Sequence, residues 1–498
     1  MLQVAFRLDA TAETGIGHLM RCLALANILR ERSVCVRFIC CQESSDYFGV
    51  IHDLGFPLEI VEGTLSSTNS ISGQEDDARL TFETVGETNL NWVILDHYGL
   101  DAAWQTEFSR LKPQTRILVI DDLANRNHVC DVLIDSGMGR LQKDYFGLVP
   151  EYSQIITGVQ YILLRQEFRE TRIKNENISE KQVSVPRILI SFGGGTVGKA
   201  VDITLSALEN LSARFQFEAS LIGRSTDAQI HKASQVGIAY TPHSDEMAKE
   251  IADSDIVIGA AGGSAWERCC LGRASIFVAM ADNQKANFLA LSEAKAGLGV
   301  KIDRAEIQGA VEQLLVDQTL REEFARNAWH LCDGLGAERA ASVLIGASLS
   351  LKPAVEADAK IVFDARYEND GARYYRNNSI PAIDAHIDWF KSALGRTDLR
   401  LLIVELAGEQ VAHVRFDIDI ENQNRIEIGI ALAPSYRGSG LGFEILGKAV
   451  KLANSQGFRT IDADVHEENH ASRKVFEKAG FLLEGEQDGQ FLHYVLRL

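Results

Sequence analysis

Residues 13–29, ETGIGHLMRCLALANIL, set a histidine where a glycine turn runs into a helix. Gly15 and Gly17 flank an isoleucine, His18 follows, and apolar residues then recur at helical spacing. Imidazole has an unperturbed pKa of ~6.5, so it can take up a proton near neutral pH. Glycines at a helix start leave backbone N–H groups able to meet an anion. The chemistry open to this stretch is general-base catalysis beside a bound anion. The other reading of His18 is a helix-capping or core residue.

Three more glycine-rich turns lead into helices. SFGGGTVGKA (191–200) carries Gly193, Gly194 and Gly195, whose N–H groups can face phosphate. It is not a P-loop, because Lys199 is followed by Ala200 rather than Ser or Thr. IGAAGGSAWERCCLG (258–272) repeats the arrangement with Gly262, Gly263 and Ser264 and adds Glu267. A carboxylate one turn beyond a glycine-rich helix start suits a ribose diol. APSYRGSGLG (433–442) spaces Arg437, Gly438, Gly440 and Gly442 as R-G-x-G-x-G, a pattern able to hold pyrophosphate. An ordinary glycine turn is the alternative there.

The elements that must carry these turns follow from hydrophobic pattern. LQVAFRLDA, CVRFICC, WVILDHY and RILVIDDL read as strands separated by helical segments, which implies a parallel sheet over residues 1–170. ISEKQVSVP (178–186) reads as a linker. A second strand–helix series over 184–348 runs through RILISF, FEASLIG, DIVIGA and ASIFVAM. Two successive open α/β domains imply a cleft, with ligands outside the carboxyl ends of the strands. A third region, 358–498, alternates apolar and polar residues in LRLLIVEL, EQVAHVRFDID and NRIEIGIAL, as an antiparallel sheet does. The fold class expected is α/β throughout, with two Rossmann-like domains and a mixed α/β third domain.

Composition narrows the function. The chain has 498 residues, enough for about three domains. With 50 Lys and Arg against 69 Asp and Glu its net charge is −19, which speaks against general nucleic-acid binding. The eight cysteines form no C-x-x-C pair, which points to a reducing cytosol and a cytoplasmic location. The N-terminus has no signal-peptide pattern, and no apolar run approaches the ~18 residues of a membrane span. No H-E-x-x-H, D-x-D or Cys/His cluster calls for a metal.

The glycine loop at 433–442, followed by EENHASRKVFEKAGF (467–481), resembles the GCN5-related N-acetyltransferase (GNAT) family over roughly 358–498. That resemblance implies acetyl-CoA as cosubstrate, with its pyrophosphate on Arg437, Gly438, Gly440 and Gly442 and its arm near Asn469. Such a domain needs a base for the amine and an acid for the thiolate. Glu427, on the strand before the loop, is the candidate base, acting through water; an exposed strand charge is the alternative. Where many members have a tyrosine acid this chain has Phe476, which has no proton to give. His466 is a substitute candidate, or a solvated strand-end residue. GARYYRNNSIPAIDAHIDWFKSAL (371–394) looks like the acceptor-side helices of the subfamily that acetylates UDP-linked 4-amino sugars, with His386, Trp389 and Phe390 at helical spacing. Packing is the plainer reading of these, and the preferred one for Phe390.

Residues 1–348 resemble the nucleotide-sugar hydrolases of pseudaminic-acid biosynthesis, related to two-domain glycosyltransferases of the GT-B class. GIGHLMRCLALA, VILDHYGLD, VIDDLANR, SFGGG, GGSAWERCCLG and ADNQKANFLAL carry it. The resemblance implies His18 as catalytic base, with Tyr98 in the D-x-Y-G segment at the same site. It places UDP on the Gly15/Gly17, Gly193/Gly194 and Gly262–Ser264 segments and Glu267, with Asn283 and Gln284 nearby. It implies hydrolysis of UDP-2,4-diacetamido-2,4,6-trideoxy-β-L-altropyranose, the product expected of the fused acetyltransferase. Partners expected are a UDP-linked amino sugar and acetyl-CoA, without nucleic acid or membrane. Two rivals remain open: a glycosyltransferase using the same UDP cleft, and a non-catalytic UDP-sugar binding module serving the acetyltransferase.

Overall fold

Strands rich in Val, Ile, Leu and Phe bury both faces, which suits a parallel sheet covered by helices on either side. The computed structural model describes residues 1–11, 16–62, 68, 70–175, 185–193, 198–280, 284–368, 371–487 and 489–498. By internal contacts the chain divides into two units. One is Gln3–Ile28 with Val36–Ala340; the other is Met1–Leu2, Leu29–Cys35 and Ala341–Leu498.

The first unit holds two Rossmann-like sheets. The strands of one are β1 (Gln3–Leu8), β2 (Cys35–Cys41), β3 (Leu58–Val61), β4 (Trp92–Asp96), β5 (Arg116–Ile120), β6 (Val132–Asp135) and β7 (Gln154–Thr157). Their spatial order is β3-β2-β1-β4-β5-β6-β7. The other sheet comprises β8 (Arg187–Ile190), β9 (Glu218–Ile222), β10 (Ala239–Thr241), β11 (Ile256–Ala260), β12 (Ala274–Val278) and β13 (Gly297–Val300), in the order β10-β9-β8-β11-β12-β13. β1 pairs β4, and β8 pairs both β9 and β11, all in parallel. Strand order therefore reverses beside β1 in one sheet and beside β8 in the other. These are the switch points where open α/β sheets bind ligands.

Helix α1 (Gly17–Glu31) follows β1; α2 (Gly198–Ser212) follows β8; α3 (Gly263–Cys270) follows β11. Each starts in one of the glycine turns, so all three turns lie at switch points. The strands they follow are nearly wholly buried.

The second unit contains one seven-stranded sheet. Its members are β14 (Leu349–Pro353), β15 (Leu399–Leu406), β16 (Glu409–Ile418), β17 (Arg425–Leu432), β18 (Thr460–His466), β19 (Leu482–Gln487) and β20 (Phe491–Arg497). They lie in the order β14-β15-β16-β17-β18-β20-β19. All pairings are antiparallel except β17 with β18. Helices α4 (Ala359–Tyr367), α5 (Ile383–Leu394), α6 (Leu441–Ser455) and α7 (His470–Lys478) complete it. The parallel pair runs only from Arg425–Glu427 against Thr460–Asp462. Beyond it the two strands part, leaving Ile428–Leu432 without a ladder partner on that side. The apolar stripe of α6 (Leu441, Ile445, Leu446, Ala449, Ala453) is buried, which fixes the loop before it. Among the described residues no helix is long and apolar enough to cross a membrane.

Candidate active sites

Four strands of the first sheet run straight into aspartate: RLD, ILD, IDD and LID place Asp9, Asp96, Asp121 and Asp135 at the ends of β1, β4, β5 and β6. That edge is the ligand-facing one. Each carboxylate has its own arginine: Arg7 on Asp9 at 2.7 Å, Arg21 on Asp96 at 2.6 Å, Arg126 on Asp121 at 2.8 Å and Arg140 on Asp135 at 2.7 Å.

His18, the second residue of α1, brings Nδ1 to 2.6 Å from Asp96 Oδ1. An ionised carboxylate only accepts, so the proton is assigned to Nδ1 and Nε2 is left with its lone pair. Among the described residues Nε2 has no hydrogen-bond partner. Arg21, one turn along α1, donates Nε to Asp96 Oδ2 at 2.6 Å and Nη1 to Asp122 Oδ2 at 2.9 Å. The Tyr98 ring stands edge-on to the imidazole, with centroids 4.6 Å apart, and its hydroxyl donates to Asp122 at 3.1 Å. The structure thus brings His18 and Tyr98 together and adds Asp96, Arg21 and Asp122.

Asp96 is wholly buried. Burial alone would raise its carboxyl, but the Arg21 guanidinium and then His18 outweigh that and hold it well below the usual carboxylate range. Its contribution to stability is therefore full above the unfolded value of ~3.9 and is lost as pH falls toward the depressed folded value. At working pH it stays a carboxylate and orients the imidazole. The turn after β4 is pinned from behind: the Gly99 N–H donates to His97 Nδ1 at 2.9 Å, and His97 Nε2 lies 3.3 Å from Asp9.

In the second sheet Gly193 ends the described part of the turn after β8, with φ +83°. Gly262 is the N-cap of α3, and a Cβ there would meet the Gln284 amide at 3.2 Å. Gln284 in turn accepts from the Met280 N–H at 3.0 Å. Among the described residues nothing lies within 4 Å of a Cβ built on Gly263 or on Gly17. Ser264 lies one turn before the buried Arg268, whose Nη1 reaches its hydroxyl at 3.4 Å. Burial lowers that guanidinium to about 10. Glu267 keeps a fifth of its side chain exposed (19%) and faces Arg165 at 3.5 Å. Burial raises its carboxyl, against the pull of Arg165. Gly15, Gly194 and Asn283 lie outside the described residues.

In the third sheet Glu427 stands in a row of carboxylates, directly opposite Asp417 on β16 and Asp462 on β18. Glu427 lies on the exposed face of β17; partial desolvation by the flanking strands raises its carboxyl, and the charges of Asp464 and Asp417 add to the shift. Like charges facing each other across strands are unfavourable unless neutralised. Arg415 binds Asp417, Arg425 binds Asp462 and Arg376 binds Asp464.

Arg437 turns back from the glycine loop. Its guanidinium donates to the Ala365 and Glu368 carbonyls, each at 2.9 Å, and so tethers the loop to the C-terminus of α4. Gly438 and Gly440 have φ of +78° and +79°, the left-handed region that a side chain resists. Gly440→Ala is expected to lower unfolding stability by about 1–2 kcal/mol, readable by chemical denaturation. Gly442 sits against Val475 of α7, where a Cβ would lie at 3.5 Å. Asn469 is the N-cap of α7, accepting from the Ser472 N–H at 3.1 Å. Phe476 is buried edge-on to Phe481. His466 accepts from the Glu468 N–H at 3.3 Å and packs on Phe491 and Tyr374. His386 is buried, its Nε2 donating to the Ala359 carbonyl at 3.0 Å; Phe390 is core, and Trp389 is partly exposed.

Comparison with known proteins agrees with this division. Residues 364–481 match the acetyltransferase (GNAT) family, and residues 189–330 match the glycosyltransferase family 28 C-terminal domain. An uncharacterised protein of Methanocaldococcus jannaschii is 22% identical over 512 aligned positions, covering 96% of each chain. UDP-2,4-diacetamido-2,4,6-trideoxy-β-L-altropyranose hydrolase of Campylobacter jejuni is 28% identical over 177 residues, 35% of this chain and 56% of that one. Spermidine N(1)-acetyltransferase of Escherichia coli is 27% identical over 150 residues, 29% of this chain and 78% of that one. Among solved structures, MurG of Acinetobacter baumannii aligns with a TM-score of 0.49 at 16% identity, covering 69% of this chain and 99% of that one. The α/β fold expected from the sequence, two Rossmann-like sheets and then a mixed-sheet domain that matches the GNAT family, is the one found. The chain joins a segment similar to the C-terminal domain of family 28 glycosyltransferases to one similar to GNAT acetyltransferases.

Proposed function

We propose that the chain is a bifunctional nucleotide-sugar enzyme. Its first unit hydrolyses a UDP-sugar of the 2,4-diacetamido-2,4,6-trideoxy class, and its GNAT domain transfers acetyl from acetyl-CoA to the amine of the UDP-4-amino-sugar precursor. The observation that carries the hydrolase half is the His18–Asp96 pair: a histidine held by a buried carboxylate, with Nε2 unpartnered, at the switch point of the sheet.

In this reaction water attacks the anomeric carbon while His18 Nε2 takes its proton. The new C–O bond forms as the bond to UDP breaks, and the configuration inverts. Asp96 stabilises the imidazolium, and Tyr98 fixes the ring plane. Glycine-rich helix starts at Gly17, Gly193 and Gly262–Ser264 would take the diphosphate charge, and Glu267 the ribose hydroxyls. The partial likeness to the Campylobacter hydrolase supports this reading. We place the domain divisions at 1–170, 184–348 and 358–498, with a cytoplasmic location and no metal in either step.

In the GNAT half Glu427 takes the amine proton. The parted strands β17 and β18 offer backbone groups to the arm of acetyl-CoA, and the loop at 437–442 its pyrophosphate. Likeness to an N-acetyltransferase of Escherichia coli supports amine acetylation. Phe476 supplies no proton, so the thiolate takes one from elsewhere.

The family 28 match favours one second reading, transfer of the sugar to an acceptor other than water. Release of UDP from purified protein without acceptor decides for hydrolysis. His18→Ala is expected to slow that release by at least about 10²-fold while UDP still binds, measured by calorimetry. A variant that releases UDP at the normal rate would remove His18 from the chemistry.

A further inference from the structure

Arg268 is a cation buried without an anion. The arginines at the strand ends of the first sheet each meet an aspartate. Arg268, on α3 and only 1% exposed, meets none. Its Nη2 donates to the Ala260 carbonyl at 2.6 Å, and its Nη1 reaches the Ser264 hydroxyl at 3.4 Å. Its Nε is buried with no partner, and among the described residues no carboxylate comes within ion-pair distance. Buried charges are ordinarily paired, because each has lost its hydration. The guanidinium's lowering to about 10 by burial reflects that cost.

A glycine fixes where this charge stands. A Cβ on Gly259 would lie 2.7 Å from Arg268 Nη1 and 2.2 Å from the Ser191 carbonyl oxygen. Glycine is depleted in strands, yet Gly259 lies within β11. Without a side chain there, the guanidinium fits where the end of β11 meets the residue following β8. It therefore stands behind the glycine turns that leave both strands, and it reaches the second of them through Ser264.

We propose that Arg268 is the fixed counter-charge for the diphosphate, a positioning residue that acts through Ser264. The inference rests on the nucleotide-sugar reading of the first unit and names what makes this turn prefer an anion to a neutral ligand. A guanidinium only donates, so the Ser264 oxygen must accept from it. The hydroxyl's own hydrogen is then left for another partner, on the side where the α3 helix start presents its N–H groups. A phosphate there meets the hydroxyl, the helix start and a buried charge that salt screens little. It also gives that charge the anion the fold withholds. A neutral ligand gains neither.

The test uses the full chain with UDP and uridine as probes, read by calorimetry. Arg268→Met, uncharged and of similar length, is expected to weaken UDP about tenfold and uridine less than about twofold. Arg268→Lys, which keeps the charge, should stay within about threefold of wild type for both. Ser264→Ala should weaken UDP about fivefold, and the double variant should cost about as much as Arg268→Met alone, because the two residues act as one link. Ser264 is only half-buried, so its variant still reads that link should Arg268→Met fail to fold. UDP binding unchanged in Ser264→Ala, or uridine lost as fully as UDP in Arg268→Met, would make the arginine a structural residue and overturn the proposal. Wild-type protein that binds neither probe would instead overturn the nucleotide-sugar reading.

Discussion

Asp96→Asn is expected to slow UDP release by about 10³-fold, close to the effect of removing His18 itself. The reason is the tautomer. Asp96 accepts from His18 Nδ1 at 2.6 Å, which keeps Nε2 free for the water proton. An asparagine amide can donate to Nδ1 instead, and the imidazole then carries its hydrogen on Nε2, where it cannot act as base. The same substitution at the orienting aspartate of a serine-protease triad costs about 10⁴-fold with the geometry intact. Asparagine keeps an oxygen for Arg21, and Arg21 keeps Asp122 at 2.9 Å, so the guanidinium is not stranded. Asp96→Ala should be worse for a different reason, since breaking a buried ion pair costs about 3–5 kcal/mol. The check is single-turnover UDP release beside thermal unfolding. An Asn variant with native unfolding and a rate within tenfold of wild type would show that the pair only holds the helix start.

The signal for Asp96 was present in the sequence. Four strands of the first sheet end in aspartate, and in a parallel sheet strand ends share one edge. Glycine turns are easily read because each fixes a local conformation. A strand-terminal aspartate is informative only once strand order is known, since order decides that the end of β4 adjoins the start of α1. Arg21 is less legible still: its spacing from His18 is that of any core helix, and its two carboxylates are contributed by β4 and by the segment after β5. The short strands β10 and β13 carry little signal of their own. One has three residues, and the other, Gly-Leu-Gly-Val, is half glycine, a residue depleted in strands. In the third sheet the loop glycines read correctly as a helix start, while the tether made by the Arg437 side chain is not legible from R-G-x-G-x-G: its guanidinium reaches the carbonyls ending α4. Likewise Asn469 reads as a ligand contact by resemblance, and the structure gives its carboxamide oxygen to the Ser472 N–H. The acidic row around Glu427 could not be counted from the sequence, because Asp417, Glu427 and Asp462 become neighbours only through register.

That row sets the second large effect. Glu427→Gln is expected to cut kcat/KM for acetyl transfer by about 10²-fold at pH 7 and to leave UDP release untouched. In the native protein, partial desolvation beside the flanking strands and then Asp464 and Asp417 raise the Glu427 carboxyl above its ordinary value. The acid limb of the pH profile should therefore lie above the ~4.3 of free glutamate, with the rate falling as pH drops through it. Asp417→Asn removes one of the raising charges, so it should move that limb to lower pH; a shift the other way, or none, would separate the limb from Glu427. Stability gives an independent reading of the same charge. A carboxyl whose folded pKa is raised favours the fold only while it is protonated, and that contribution is lost as pH rises through the folded value. At neutral pH the Glu427 carboxylate thus works against the fold, but its exposure lets solvent screen most of that cost, so glutamine should raise the melting temperature only slightly there and lose that advantage in acid. A residue whose removal stabilises the fold and abolishes one activity is held in place by function rather than by packing.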